Sequence, residues 1–200
     1  MTDRGVFVAF EGGEACGKST QAARLAEQRD AVLTREPGGT VLGERVRTIF
    51  LDPATGAVDP RAEALLVVAA RAQHVAEIVE PALASGRDVV TDRFTGSSLA
   101  YQGFGRGLDV DEVRALSAFA TGGLEPDVYV LLEVPADVAA ARLGPDRDRL
   151  EAAGDAFHER VRAGYAALAQ HDGWVVVDGS GSVDQVARAV WDALSARLDW

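Results

Sequence analysis

The stretch Gly12-Gly13-Glu14-Ala15-Cys16-Gly17-Lys18-Ser19 follows the pattern G-x-x-x-x-G-K-S, which is typical of a loop that binds phosphate groups. Lys18 is the only lysine in the chain, and every other permanently charged cation is an arginine. A compact ammonium group fits between phosphate oxygens, whereas a guanidinium group is broad and planar. We therefore predict that Lys18 and its loop bind a nucleotide through its phosphates.

The residues on either side of the loop come in the order that such a loop requires. Residues 6–10 form a short apolar run with β-branched and aromatic side chains, and residues 19–26 have a helical composition. Glycines let the backbone N–H groups turn toward an anion, the helix N-terminus adds a positive dipole end, and Ser19 offers a hydroxyl group to Mg²⁺. A glycine-rich turn in an unrelated fold is the alternative, which the full eight-residue match in this context disfavours.

The composition predicts one globular domain with a continuous core, because 48% of the 200 residues are hydrophobic and 26% are charged. The longest apolar stretch, residues 64–70, is too short to cross a bilayer, and no secretory signal is recognisable, so we expect a cytoplasmic protein. The net charge of −11 argues against binding to nucleic acid or to an anionic membrane. The single cysteine, Cys16, excludes an internal disulfide, and we interpret it as a small filler of the loop.

Candidate strands alternate with helical segments along the whole chain. The strands are expected at about residues 5–10, 31–35, 88–92, 127–134 and 174–177. The helices are expected near residues 17–29, 43–50, 60–84, 111–120, 136–143, 155–170 and 183–198. This order predicts an α/β fold, a five-stranded parallel sheet with helices on both faces and ligands bound beyond the carboxyl ends of its strands. One stripe of the last helix is predicted to face the core, and it consists of Val183, Val186, Ala187, Val190, Trp191, Leu194 and Leu198.

Two further strand ends carry polar motifs. The second strand ends in Thr34-Arg35-Glu36-Pro37-Gly38-Gly39-Thr40, and the third ends in Thr91-Asp92-Arg93-Phe94 and continues into Ser97-Ser98-Leu99-Ala100-Tyr101-Gln102-Gly103. With these motifs the chain resembles the thymidylate kinase family. The resemblance spans nearly the whole length and includes Ala69-Ala70-Arg71-Ala72-Gln73-His74 and Asp148-Arg149-Leu150-Glu151. Because the phosphate loop has no arginine, the chain is similar to the bacterial form of the family.

The resemblance implies a kinase that transfers a phosphoryl group from ATP to dTMP, with Mg²⁺ as cofactor. The implied ATP-binding residues are Gly12, Gly13, Glu14, Ala15, Cys16, Gly17, Lys18, Ser19 and Thr20. The implied Mg²⁺ ligands are Ser19 and Asp92. The implied catalytic residues are Lys18, Arg93, Arg147 and Arg149. The last two lie in the polar segment 144–154, which we expect to be a mobile lid whose arginine neutralises charge in the transition state.

The resemblance also implies an acceptor site and a homodimer. Arg47 and Arg93 would clamp the phosphate of dTMP, while Arg71, Ser98 and Gln102 would read the edge of the thymine. The full set of implied acceptor residues is Glu14, Arg35, Glu36, Arg47, Val67, Arg71, Arg93, Ser97, Ser98, Tyr101 and Gln102. In this set, Glu14 would meet the sugar 3′-hydroxyl and Tyr101 would pack near C2′. The apolar faces of the helix at 60–84 could supply the dimer interface.

One position departs from the family pattern. The family has a phenylalanine that stacks on the thymine where this chain has Val67. The loss of a ring contact costs on the order of 1 kcal/mol. We expect another aromatic residue, Phe94 or Phe104, to compensate, and weaker affinity or a shifted substrate are the alternatives.

Several of these side chains also have a purely structural explanation. Arg93, which directly follows Asp92 at the end of a buried strand, could form a structural ion pair, and Arg71 could be solvated or salt-bridged on its helix. Tyr101 and Gln102 could be ordinary helix surface. The positions of these residues in the fold decide between the two explanations.

The chemistry of the acceptor limits the candidate functions. A monophosphate oxygen is already ionised at neutral pH, so transfer to it needs alignment and charge neutralisation rather than a general base. A GTPase is excluded, because its Asn-Lys-x-Asp motif is missing from a chain without asparagine. The alternatives left open are a kinase for another nucleoside monophosphate, a deoxynucleoside kinase with Glu36 as base, and a non-enzymatic ATP switch.

Overall fold

The computed structural model describes residues 4–144, 147–198 and 200. Its strands are β1 (Phe7–Glu11), β2 (Val32–Arg35), β3 (Val89–Asp92), β4 (Val128–Glu133) and β5 (Trp174–Asp178). They form one sheet in the order β2-β3-β1-β4-β5, and every pairing is parallel. The predicted five-stranded parallel α/β fold is therefore confirmed.

The sheet is covered by helices on both faces. The longer ones are α1 (Lys18–Arg29), α2 (Val41–Leu51), α3 (Pro60–His74), α6 (Val110–Thr121), α8 (Asp155–Leu168) and α9 (Val183–Leu198), and the shorter ones are α4 (Glu80–Ala84), α5 (Thr95–Ser98) and α7 (Ala136–Arg142). Along β1, Val8 and Phe10 pack under α1 and α9, whereas Phe7 and Ala9 face the opposite layer. This alternation follows from the two-residue period of a strand, and it buries β1 on both sides. No helix among the described residues has the length and apolar character needed to cross a membrane.

The predicted helix at 60–84 is interrupted by a wider turn. A π-helical turn at Val75–Val79 separates α3 from α4. Pro81 follows this turn and has no N–H group to donate to the carbonyl four residues earlier, so a regular α-helical ladder cannot run through it.

One helical segment was not predicted from the sequence. After β3 the chain forms α5 and continues as a π-helix over Leu99–Gly105. Glycine is a poor helix former, so the segment has low intrinsic propensity. It is stabilised instead by packing, since a Cβ atom at Gly105 would lie 2.7 Å from the Phe157 ring of α8.

The predicted core stripe of α9 is correct for most of its length. Val186, Val190 and Leu194 are buried against β-strand residues, and Trp191 and Leu198 are partly buried there. Val183 is 47% exposed, so its predicted burial is wrong. It occupies the first position of the helix, before the stripe reaches the sheet.

Candidate active site

The phosphate loop connects β1 to α1 at the carboxyl end of the central strand. Gly12 has φ 142°, and a Cβ atom there would lie 2.5 Å from the carbonyl oxygen of Leu132, so the loop requires glycine at this position. Gly17 is the N-cap of α1. Lys18 is buried within the loop, and its Nζ donates to the Gly13 carbonyl over 2.6 Å. Cys16 packs into the core below the loop, as expected of a filler residue.

Ser19 and Asp92 face each other at the mouth of this loop. Ser19 Oγ donates to Asp92 Oδ2 over 2.5 Å. Asp92 Oδ1 is buried and has no hydrogen-bond partner among the described residues. A hydroxyl group beside a carboxylate oxygen that lacks a partner is a donor set that suits Mg²⁺, which prefers oxygen ligands.

A cavity opens beside the loop, between α2, α3 and the helical turn that follows β3. Ten of the eleven predicted acceptor residues border it: Glu14, Glu36, Arg47, Val67, Arg71, Arg93, Ser97, Ser98, Tyr101 and Gln102. Arg35 is the exception. It borders the adjacent cleft over the phosphate loop and pairs with Glu44 over 3.1 Å on a largely exposed surface.

Arg93 lies where the cavity meets the phosphate loop. Its Nη2 donates to Glu14 Oε1 over 2.7 Å, and its Nη1 donates to the Gly12 carbonyl and to Ser97 Oγ, each over 3.0 Å. The backbone of Arg93 has φ 75°, a strained value for a residue with a side chain. Its ion-pair partner is Glu14, so the ion pair considered as a structural explanation is present, and it coexists with a position at the cavity wall.

Glu14 is strongly held in its charged form. Burial alone would raise the pKa of Glu14, but attraction to Arg93 and Lys18 and the hydrogen bond from Tyr101 lower the pKa to about 2. Tyr101 Oη donates to the carboxylate over 2.5 Å, and the Arg93 guanidinium lies 5.0 Å from the centre of the Tyr101 ring. The loop therefore presents a fixed negative charge at the boundary of the two spaces.

Arg71 is fully buried and salt-bridged, and it also borders the cavity. Its Nε donates to Glu36 over 2.7 Å, and its other donors bind Ser98 Oγ, Ser117 Oγ and the Phe94 carbonyl. Four of its five N–H groups thus donate to described residues, which leaves one for a ligand. The salt-bridged alternative holds for Arg71, and it coexists with a position at the cavity wall.

Tyr101 and Gln102 are buried, so their interpretation as helix surface is wrong. Both lie on the π-helical segment after α5, which the sequence pattern did not predict. Gln102 Nε2 donates to Glu63 of α3 over 2.9 Å. The wider π-helical turn brings these two consecutive side chains to the same cavity.

Val67 borders the cavity together with two phenylalanine rings. Phe94, one of the two predicted substitutes for the missing phenylalanine, lines the cavity wall. Phe104 does not, because it packs against Gly164 of α8. Phe50 of α2 also lines the cavity, and we did not predict it from the sequence. The apolar periodicity of α2 is the signal that could have suggested it.

The cavity is continuous with a second cleft over the phosphate loop. Lys18, Ser19, Thr20 and Asp92 border this cleft. Glu14, Glu36, Arg47 and Arg93 border both spaces. Burial and the nearby Arg35 lower the pKa of Arg47, whose side chain donates to the Pro37 carbonyl over 3.1 Å. Two arginines and two glutamates therefore lie where the two spaces meet.

The two arginines of the predicted lid lie in different places. Arg147 is exposed and borders a separate cleft with Glu14 and Cys16 of the loop. Arg149 is tied to the acceptor side, because its Nη1 donates to Glu63 over 2.7 Å and its Nε to the Phe50 carbonyl over 2.8 Å. This position does not suit the role predicted for Arg149 at the transferred phosphoryl group. Residues 145–146 of the lid lie outside the described residues.

Sequence reasoning missed two buried carboxylates near the site. Glu11 at the end of β1 accepts hydrogen bonds from the Phe94 and Ser97 amides, from Ser97 Oγ and from Tyr165 Oη. Burial raises the pKa of Glu11 despite these bonds. Glu63 of α3 is fully buried among arginines. An acidic residue inside an otherwise apolar strand or helix face is the signal that could have found both.

Comparison with known proteins gives one consistent family. The family model described as "Thymidylate kinase" matches residues 10–190. Thymidylate kinase of Desulforudis audaxviator is 48% identical, over 97% of this chain and 92% of the relative. That of Leifsonia xyli subsp. xyli is 49% identical, over 97% and 96%. The crystal structure of thymidylate kinase from Ehrlichia chaffeensis is similar with a TM-score of 0.76 and 30% identity, over 96% of this chain and 99% of that one.

Proposed function

The chain belongs to the thymidylate kinase family, and from this premise we propose that it transfers the γ-phosphoryl group of ATP to dTMP, giving dTDP and ADP. The observation that carries the proposal is that the phosphate-loop cleft and the acceptor cavity share Glu14, Glu36, Arg47 and Arg93. Two anionic substrates can thus meet end to end, which in-line phosphoryl transfer requires. A cytoplasmic location goes with this proposal.

The proposed catalysis relies on charge and alignment. Lys18 and the loop amides hold the ATP phosphates, and Arg93 and Arg47 hold the acceptor phosphate. Arg147 remains the lid residue proposed to neutralise charge in the transition state. Each such contact acts most strongly in a site that excludes water, where a fixed charge costs no reorganisation during the reaction.

Mg²⁺ is the proposed cofactor, held by Ser19 and by the Asp92 carboxylate. When bound, this ion would neutralise charge that develops on the phosphate oxygens during transfer. The protein side of the task is to keep the hydroxyl and the carboxylate at the mouth of the loop, which their mutual hydrogen bond does.

The environment of Glu36 argues against the alternative function of a deoxynucleoside kinase. Such an enzyme needs a carboxylate that can take a proton from a 5′-hydroxyl. The two oxygens of Glu36 are engaged by Arg71 over 2.7 Å and by His74 over 2.8 Å, and the side chain is buried. An acceptor that is already ionised needs no such base, so the geometry favours a monophosphate.

We further propose a homodimer, formed through the face of α2, α3 and α6. These helices are neighbours, and α3 packs against both of the others. Each presents a large exposed apolar side chain: Ile49 is 47% exposed, Leu65 55% and Phe119 87%. A homodimer formed through this face would cover these apolar side chains.

A coupled assay of ADP release tests the proposed reaction directly. The acceptors to compare are dTMP, dUMP, dCMP, dAMP, dGMP and thymidine. The proposal expects the highest kcat/KM with dTMP. A response to thymidine alone would identify a nucleoside kinase, and no response to any acceptor would favour the ATP switch.

A further inference from the structure

We propose that Glu63 is a positioning residue that sets base specificity, because it holds the Gln102 amide with its carbonyl oxygen toward the acceptor cavity. The inference rests on the proposed function only in taking this cavity as the site of the nucleobase. It assigns to Glu63 the selection of bases that carry an N–H group at ring position 3, such as thymine and uracil, against cytosine.

Glu63 is a carboxylate surrounded by donors. It lies on α3 and is fully buried. Its Oε1 accepts from Gln102 Nε2 over 2.9 Å and from Arg106 Nε over 3.1 Å. Its Oε2 accepts from Arg106 Nη2 over 3.0 Å and from Arg149 Nη1 over 2.7 Å. Two arginines and the amide of Gln102 thus donate to the same carboxylate.

This environment keeps Glu63 ionised. Burial alone would raise the pKa of Glu63, but hydrogen bonds from Arg106, Gln102 and Arg149 outweigh it and lower the pKa. An ionised carboxylate can only accept hydrogen bonds. The group of Gln102 that faces it must therefore be the NH₂, so the orientation of this amide follows from chemistry as well as from geometry.

The orientation of the Gln102 amide decides which of its groups is available to a ligand in the cavity. Gln102 is 1% exposed and borders the cavity next to Ser98 and Arg71. Its side-chain hydrogen bond among the described residues runs through Nε2, so Oε1 is available to a ligand. A carbonyl oxygen accepts from an N–H group at ring position 3, whereas the unprotonated ring nitrogen of cytosine would face it as a second acceptor. A site built this way rejects the wrong partner strongly, because its own polar group is left unpaired.

The substitution Glu63→Gln should reverse the amide. The new side chain would keep its oxygen toward Arg149 and Arg106 Nη2, where two charged donors converge. Its NH₂ would then take the former Oε1 position, where Arg106 Nε loses its acceptor. Gln102 must then turn its carbonyl oxygen toward the new NH₂ group at position 63 and its own NH₂ group toward the cavity. We expect the preference for dTMP over dCMP to fall at least about tenfold, measured as the dTMP to dCMP ratio of kcat/KM and as the same ratio of association constants by calorimetry.

Two further variants separate positioning from general structural support. Arg106→Gln removes two hydrogen bonds to Glu63 but leaves the bond to Gln102, so it should lower the melting temperature while the dTMP to dCMP ratio stays unchanged. Gln102→Leu should lower the ratio, and Glu63→Gln should change it no further in that background, since the two residues act as one unit.

The outcomes distinguish this inference from the proposed reaction. A folded Glu63→Gln protein that keeps the wild-type ratio, or that loses both ligands equally, overturns the inference. If that variant does not fold, an unchanged ratio in Gln102→Leu overturns it instead. If wild-type protein binds dTMP over dCMP but does not phosphorylate it, the proposed reaction fails while the Kd ratios still test Glu63.

Discussion

Replacing Glu14 with glutamine should make the free energy of unfolding less dependent on pH. The amide oxygen can still accept the hydrogen bonds from Arg93 and Tyr101, so the variant removes the charge and keeps the shape. In the folded wild type the pKa of Glu14 is about 2, against an ordinary value of 4.5. A lowered pKa means that folding favours the ionised form, so the charge of Glu14 stabilises the native state near neutral pH.

The size of the effect follows from the two pKa values. Each unit of difference corresponds to about 1.4 kcal/mol, so ionised Glu14 contributes on the order of 3 kcal/mol to the free energy of unfolding at pH 7. The contribution is fully present above the unfolded pKa and is lost as the pH falls from 4.5 toward 2. The difference in the free energy of unfolding between wild type and Glu14→Gln (the stability gap) should therefore decrease by on the order of 1 kcal/mol between pH 7 and pH 3.5.

Urea denaturation at a series of pH values measures this gap. Glu27→Gln is a matched control, because Glu27 is exposed on α1, away from the loop. The control should follow the wild-type profile. A gap between wild type and Glu14→Gln that stays constant from pH 7 to pH 3.5 would refute the assignment of Glu14 as a charge held by Arg93 and Lys18.

Three further predictions concern the site. Lys18→Ala should lower kcat at least about 100-fold with a wild-type circular dichroism spectrum, and activity within tenfold of wild type would contradict its role at the transferred group. Arg93→Ala should raise the KM for dTMP far more than the KM for ATP, and equal increases in steady-state assays would place Arg93 elsewhere. Phe50→Ala should destabilise the fold by about 3–5 kcal/mol and raise the KM for dTMP. An unchanged KM for dTMP in that variant would remove Phe50 from the acceptor site.

Most of the fold could be predicted because its signals are local. The apolar run before the phosphate loop and the stripe of α9 have the strand and helix periods, and β1 and α9 lie within two residues of the predicted positions. The segment after β3 could not be predicted this way. Its glycines disfavour helix, and the packing of Gly105 against α8 depends on a residue more than fifty positions away.

The site was predictable as a set of residues but not as a network. Ten of the eleven acceptor residues named from the sequence surround one cavity, although their roles stay predictions. The partners of these residues were not visible. Arg71 pairs with Glu36 across 35 positions, and Arg149 pairs with Glu63 across 86. Such pairs arise only when distant segments of the chain pack together, which no local pattern encodes.

The single lysine allows nucleotide binding to this protein to be followed by chemical labelling. Lys18 is only 6% exposed, and it lies in the phosphate loop with its ammonium group against the Gly13 carbonyl. Amine-reactive reagents therefore have one side-chain target, and that target lies in the proposed ATP site. Peptide mass mapping after brief labelling would then report whether a nucleotide shields the loop, with no dye, tag or engineered cysteine.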